Sequence, residues 1–558
     1  MKASKFIRFL RNGLFLVLVV SLVLILSCAG YTQQEVNKVI RMTRGGEYIV
    51  DPAVGSGTVA TEIILNVYDS LVFPNPDGSM KPLLAKSWEI SGDGLVYTFE
   101  LVPGVKFHNG DELTADDVVF SLERIMTIGE GFGYLFTTGG VEGAKALEKY
   151  KVQFTLKKTF GPFLGSLVRL YILNKEQVMA NVKEDGPYGD FGDYGKGWLV
   201  THDAGSGPYK LREVKIGESL LMEKFNDYWA GWENKDAPQY IKEFGTLEAS
   251  TVRALFSRGE LEITDRRQTE ENLVALDQLP NSERTFFLSG GVLNVMLNTK
   301  KPPTDDVYFR KALAYCVDYQ QCINLIVVGS HASGPVASST PGSNPNLKTI
   351  VMDLAKAEEA LKQSRYYGKL DQYPFELAWV ENVPYEEKVA LMIQANAAKL
   401  GIKVNIVKLP WLSTVENMSK METTSNGTIC IVQPHYAEAG SMLMSRYHSN
   451  SCGSWEQGEW LQNPEIDAMI EDAIATTDQK ERFQKYYATQ EKIAELWPTI
   501  WLLEEAEKQV HRSDYIVWPT AEAIKQGKPS TGGSYDFYFR DFKVFPEKAQ
   551  QPYTPFKP

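Results

Sequence analysis

The stretch Leu65–Met126, LNVYDSLVFPNPDGSMKPLLAKSWEISGDGLVYTFELVPGVKFHNGDELTADDVVFSLERIM, spells out a meander and the helix that follows it. Tyr97, Phe99 and Leu101 alternate with Thr98 and Glu100, which gives a strand with one apolar and one polar face. Pro103-Gly104 breaks that strand, and Val105 and Phe107 resume it. Asn109-Gly110 then closes it with the dipeptide that most readily takes the positive φ of a tight turn. Thr114 opens a helix: Asp117, three residues on, completes a capping pair and puts a carboxylate at the positive end of the helix dipole. Val118, Val119, Leu122 and Ile125 form its buried stripe.

The order of these elements, DGSMKPLLAKSWE, then GLVYTFEL, then GVKFHNGDELTADDVVFSLER, resembles the signature of the family 5 extracellular solute-binding proteins, the oligopeptide, dipeptide and nickel receptors of ABC importers. Two later stretches extend the likeness. Gly205–Trp229 resembles the family's G-x-GPY strand–turn–strand closing in N-x-x-YW, with Phe225 where the Asn usually stands, and Asn298–Asp318 resembles its segment of Asn, Pro, Asp, R-x-A-L and a final Asp. The resemblance implies a bilobal α/β fold of the periplasmic-binding-protein type II kind, with crossing strands between the lobes and an extra subdomain. On that pattern residues 41–70, 172–298 and 502–558 form lobe I, 71–171 the extra subdomain and 299–501 lobe II.

Length and charge narrow the field independently. At 558 residues the chain calls for two to four domains, and 44% hydrophobic and 11% aromatic residues suffice for large cores. Net charge is −12 and basic runs such as Lys157-Lys158 and Arg266-Arg267 go no further than two residues, which argues against a nucleic-acid surface. Lys2, Lys5, Arg8 and Arg11 precede an apolar run from Leu14 to Leu26, long enough for a signal-peptide core and short of a stable span. The run ends Ile25-Leu26-Ser27-Cys28, which resembles a bacterial lipobox. Residues 1–27 then read as a lipoprotein signal peptide, Cys28 as the lipidated residue and 28–40 as a tether, so the mature chain is expected outside the cytoplasm, in the periplasm or at the cell surface, held to the membrane by its lipid. An ordinary signal peptide cut between Ser27 and Gly30 is the alternative.

Beyond the meander, helix and strand patterns alternate: a strand and loop up to Asp51-Pro52 and a helix from about Thr58, amphipathic helices at Ser250–Arg258 and Glu270–Leu279 around a strand-like Leu261–Thr264, an apolar strand at Val292–Leu297, and a helix over Val307–Val328. Helices at Asp353–Gln363, Pro384–Leu400, Pro464–Thr476 and Gln479–Leu496 follow, with a strand at Ile402–Ile406 and an apolar run at Thr499–Leu503. The aromatic-rich tail is expected to pack back on lobe I. Asn174–Ala204, rich in Gly, Asp and Tyr, reads as a long loop, either a surface excursion or a rim of the ligand cleft.

No H-E-x-x-H, C-x-x-C, P-loop or G-x-S-x-G motif occurs, and the six scattered histidines assemble no triad. An enzyme is not expected, nor a cofactor. Cys316 and Cys322, on one expected helix, would sit about 9 Å apart and beyond disulfide reach. Cys430 and Cys452 are a possible disulfide, and with His435 and His448 between them a mixed metal site is conceivable, although the spacings match no structural zinc pattern. The family resemblance implies ligand contacts from the loop after Asp51-Pro52, namely Ser56, Gly57, Thr58 and Val59, from Trp411 in LPWLSTV, and from Val432, Gln433, His435 and Tyr436. The last four stand in the family's W-x-x-DYPDP stretch, where an acid pairs with the amino group of bound peptides. His435 takes the place of that acid and Val432 that of the Trp. An imidazole can hydrogen-bond yet supplies no fixed negative charge, so both an oligopeptide and an oligosaccharide stacked on tryptophan faces stay open as the solute. The expected partners are that solute and the permease subunits of an ABC importer, met by a monomer; an adhesin or sensory lipoprotein of the same fold is the other class.

Overall fold

The computed structural model describes residues 37–45, 48–326, 329–381, 383–528, 532–550 and 552–558. Cys28, the signal peptide and most of the tether lie outside the described residues. Among those residues no helix is long and apolar enough to cross a membrane.

The meander forms as the alternation dictates. Val96–Leu101 lies between Ala85–Ile90 and Lys151–Leu156, all antiparallel, and Val141–Glu148 completes the four-stranded sheet. Tyr97, Phe99 and Leu101 are buried, as are Val152, Phe154 and Leu156 from the facing strand. The Thr114 amide donates to the Asp117 carboxylate over 2.8 Å at the start of the helix Ala115–Ile128, which Gly129 ends in the left-handed region. This is the extra subdomain.

Lobe I is built on a four-stranded sheet in the order Val39–Thr43, Tyr240–Phe244, Ser219–Lys224, Tyr209–Lys215, with the first pair parallel. The tail packs on it: Asn66 donates to the Phe537 carbonyl over 2.8 Å and accepts from the Phe539 amide over 2.9 Å. Trp518 is fully buried among Phe287, Phe537 and Phe542.

Lobe II carries a six-stranded sheet in the order Gly329–His331, Thr499–Arg512, Ser282–Leu297, Gly427–Val432, Phe375–Val380, Val404–Leu409. Two of these strands are far longer than the others and join the lobes. Val292–Met296 pairs with Thr499–Glu504 inside lobe II, while Ser282–Leu288 pairs with Ala506–Arg512 toward lobe I. At that far end Ile263 bridges His511 on one side and Met42 of the lobe I sheet on the other. The hydrophobic pattern marks only the lobe II half of each strand. Between Leu288 and Val292 the pairing shifts register, four residue steps of one strand facing two of the other, and Gly290 there takes φ +80°.

One expectation changes and one open choice is decided. Within the described residues, which omit Val327 and Val328, the helix expected over Val307–Val328 is two helices, Val307–Cys316 and Tyr319–Ile326: the first ends at Val317, and Asp318 caps the second, accepting the Gln321 amide over 2.9 Å. Cys316 and Cys322 are still free and buried. The Asn174–Ala204 loop is a surface excursion, with Tyr194 buried beneath Phe120 and its carbonyl bound to Arg124 Nε over 2.8 Å. No residue of it reaches the cleft.

Candidate functional site

A cleft of about 680 Å³ lies where the crossing strands pass between the lobes. Its floor is the Phe286–Leu288 run and Gly290 at the strand irregularity.

Wall one comes from lobe I and the extra subdomain. Asp51 accepts two hydrogen bonds of 2.6 Å from the buried Arg124 guanidinium, and its backbone carbonyl takes the Gly55 amide over 2.9 Å. This fork ties the loop to the extra subdomain and sets Ser56 and Gly57 at the start of the helix Thr58–Val67, on the cleft. Gly131 lets the Phe132 turn approach this loop: a Cβ there would come within 2.9 Å of the Ala53 carbonyl. Phe132, Arg169 and Tyr535 complete the wall.

Wall two is the segment that leaves the central strand Gly427–Val432, from Gln433 to Ala437, together with Trp455 and Glu456. The His435 amide donates to Ser441 Oγ over 2.7 Å, its carbonyl accepts from Arg169 Nε over 2.9 Å, and its ring Nε2 lies 2.9 Å from Glu456 Oε2. The Tyr134 ring meets the imidazole edge-on at 5.3 Å. Burial pushes the Glu456 carboxyl up, but the His435 hydrogen bond and charge and the nearby Arg446 outweigh it, so Glu456 sits below the ordinary carboxylate value.

Of the residues the sequence pointed to, the cleft brings together Ser56, Gly57, Thr58, Gln433, His435 and Tyr436. Three others lie elsewhere. Val59 is partly buried and packs on the lobe I core. Val432, opposite Val292 in the sheet, is buried at 1% exposure. Trp411 follows the edge strand Val404–Leu409, two strands removed from Gly427–Val432, and is 37% exposed. Its ring stands edge-on to Trp455 at 4.9 Å, and Trp455 is the tryptophan of the cleft. Glu438 faces away, held by Arg482 at 2.6 and 3.0 Å and by the Tyr486 hydroxyl at 2.7 Å.

The Cys430–Cys452 bond is not formed: both thiols are free, the first buried in the central strand beside the Ile431 carbonyl and the second 3.9 Å from that of Leu461. The histidines between them are committed to acids, His435 to Glu456 and His448 to Glu471 at 3.2 Å. Among the described residues no group of three metal-ligating side chains converges.

Arg169 and Glu456 escaped the sequence reading, and Trp455 entered it only as one of the lobe II tryptophans whose faces a sugar could stack on. The signal for Arg169 was present, a lone cation in the apolar run FGPFLGSLVRLY. Glu456 had none, because it meets His435 across 21 residues and only through the fold.

A two-lobed α/β frame with one large described cleft at the crossing strands is the fold of the periplasmic binding proteins. The chain belongs to the bacterial extracellular solute-binding proteins, family 5, whose middle-region model matches residues 79–439. It is 26% identical over 471 residues to the probable D,D-dipeptide-binding periplasmic protein DdpA of Escherichia coli K12, covering 82% of this chain and 86% of that protein. It is 27% identical over 460 residues to the heme-binding protein A of Haemophilus influenzae, covering 76% and 79%. In fold it matches the periplasmic binding protein DppA of Helicobacter pylori in complex with the peptide STSA, with a TM-score of 0.75 at 24% identity, covering 92% of this chain and 99% of that one.

Proposed function

We propose that this chain is the exported substrate-binding component of an ABC importer, capturing a peptide-like solute between its lobes and delivering it to the permease. The observation that carries this reading is the cleft itself: about 680 Å³, walled by both lobes, and bordered by the strand end Ile431–Ala437. An extended chain laid there can hydrogen-bond to main-chain groups while its side chains fill the space around Phe132, Trp455 and Tyr535. Relatives named for dipeptides support the same choice. The oligosaccharide reading leaned on tryptophan faces, and of the lobe II tryptophans only Trp455 lines the cleft.

Capture works by hinge closure, the closed form being selected by contacts the solute makes to both walls at once. The Arg169 bond to the His435 carbonyl already spans those walls. Cys28 carries the lipid that keeps the receptor at the membrane. The test is native mass spectrometry of freshly purified protein together with fluorescence titration by di- and tripeptides. A co-purifying peptide, or saturable binding at micromolar concentrations, supports the reading; a bound sugar with no response to any peptide overturns it. N-terminal mass spectrometry of the wild type and of Cys28→Ala decides the anchor: the wild type should carry an acyl mass that the variant lacks.

A further inference from the structure

The charges that line the cleft do not balance. Glu456 has His435 at 2.9 Å and Glu507 has Arg266 at 2.5 Å, so each lining carboxylate is matched by a basic group. Neither of the lining cations Arg169 and Lys528 has an acid among the described residues. Lys528 makes a hydrogen bond of 2.8 Å to the Gln526 side chain, and Arg169 forms no ion pair among the described residues. The unmatched charge in the cleft is therefore positive, although the whole chain carries −12.

Arg169 is built into its place. Its guanidinium carbon lies 4.6 Å from the centroid of the Phe132 ring, and its Nε donates to the His435 carbonyl over 2.9 Å. The plane is thus fixed from one face and one edge. A guanidinium carries five N–H donors in a fixed fork; here Nη1 is buried, with the Tyr171 hydroxyl beside this side chain, while Nη2 has neither a hydrogen bond nor an ion pair among the described residues on a side chain that lines the cleft. A cation held without an acid at the cleft favours an anion, and a carboxylate or phosphate is the group whose geometry the fork fits. The acid of the cleft does not fill that role: Glu456 pairs with His435 and forms no ion pair with Arg169.

We infer that Arg169 is the anion-recognising residue of the cleft and that the solute carries a carboxylate or phosphate seated against its guanidinium. This rests on the peptide reading for the body of the solute and on the charge balance for its anionic group.

The probes are trialanine, trialanine C-terminal amide, phosphoserine-alanine amide and glutarate, titrated by intrinsic fluorescence and thermal shift against wild type, Arg169→Gln and Arg169→Lys. The expected result is that trialanine binds wild type roughly tenfold or more tighter than its amide. Arg169→Gln should bring that ratio close to one, and Arg169→Lys should keep part of it. Phosphoserine-alanine amide outranking trialanine would assign a phosphate; the reverse order assigns a carboxylate. Both trialanine forms binding wild type equally, with no change in Arg169→Gln, would overturn the inference and leave the peptide reading standing. Glutarate stabilising the wild type but not Arg169→Gln, with no peptide bound, would sink the peptide reading and keep the anion site. No probe sensitive to Arg169 in a variant that keeps wild-type circular dichroism also overturns the inference.

Discussion

The two walls of the cleft are backed by buried ionic clusters of similar composition and opposite quality. Behind wall two, Glu438 takes a two-pronged contact from Arg482 and a hydroxyl from Tyr486, and Arg482 also donates to the carbonyls of Thr476 and Thr477 at 2.8 and 3.0 Å. Behind wall one, Arg44 Nη2 lies 2.6 Å from Glu62 Oε2 on the helix that presents Ser56–Thr58, and Glu243 beside them is fully buried with neither carboxylate oxygen hydrogen-bonded among the described residues. Desolvation drives Glu243 up to about 7, against the pull of Arg44. The Glu438 cluster of wall two is fully paired, whereas wall one, beside its Asp51–Arg124 fork, also holds a carboxyl that prefers to be neutral. The difference teaches that the loop carrying His435 is held rigidly and that the stability of lobe I follows pH.

The sharpest way to break the contrast is Glu438→Ala, which strands the Arg482 charge. Urea unfolding should show a loss of about 3–5 kcal/mol; a loss below about 1 kcal/mol would mean that wall two does not depend on this anchor. For wall one, Glu243→Gln should stabilise by about 1–3 kcal/mol at pH 8 and do little at pH 4. The sign follows from the raised value. Between 4.5 and about 7 the folded chain holds a proton that the unfolded chain has released, so stability falls as pH rises through that window, and the variant should lack the slope.

Glu456 runs the other way. Its depressed value makes its contribution complete above 4.5 and progressively lost as pH falls below that toward the folded value. His435→Ala should therefore cost about 1–2 kcal/mol at pH 7 and flatten the acid limb of the stability curve, read by denaturation between pH 3 and pH 7. The smallest effect separates the paired tryptophans: Trp455→Ala should weaken binding of the trialanine probe by about 1 kcal/mol and Trp411→Ala by less than half of that, measured by calorimetry. Equal losses would put Trp411 back at the cleft.

Local chemistry made much of the fold readable before any coordinates. The Tyr97–Leu101 alternation, the Asn109-Gly110 turn and the Thr114/Asp117 cap each depend on neighbours in sequence, and each forms. The crossing strands were half readable. Their lobe II ends are apolar and gave the expected runs Val292–Leu297 and Thr499–Leu503, but the other halves carry charges such as Glu507, Lys508 and Arg512 that hide the rest. Ser56 and His435 were reached through a family likeness. Trp411 failed because a likeness of sequence cannot tell the edge of a sheet from its centre, and Glu456 was invisible because the convergence of remote segments leaves no local trace.

The irregularity between Leu288 and Val292 has a mechanical side. A two-stranded ribbon resists stretching along its length and yields to torsion, and a bulge gathers that torsion at one point. Here the point is also the cleft floor, since Phe287, Leu288 and Gly290 line it. If the lobes rotate about this ribbon, torque that parts them must also warp the surface beneath the solute. Opening and loss of grip then become a single motion, and a permease that pries the lobes apart needs no separate means of ejecting the cargo.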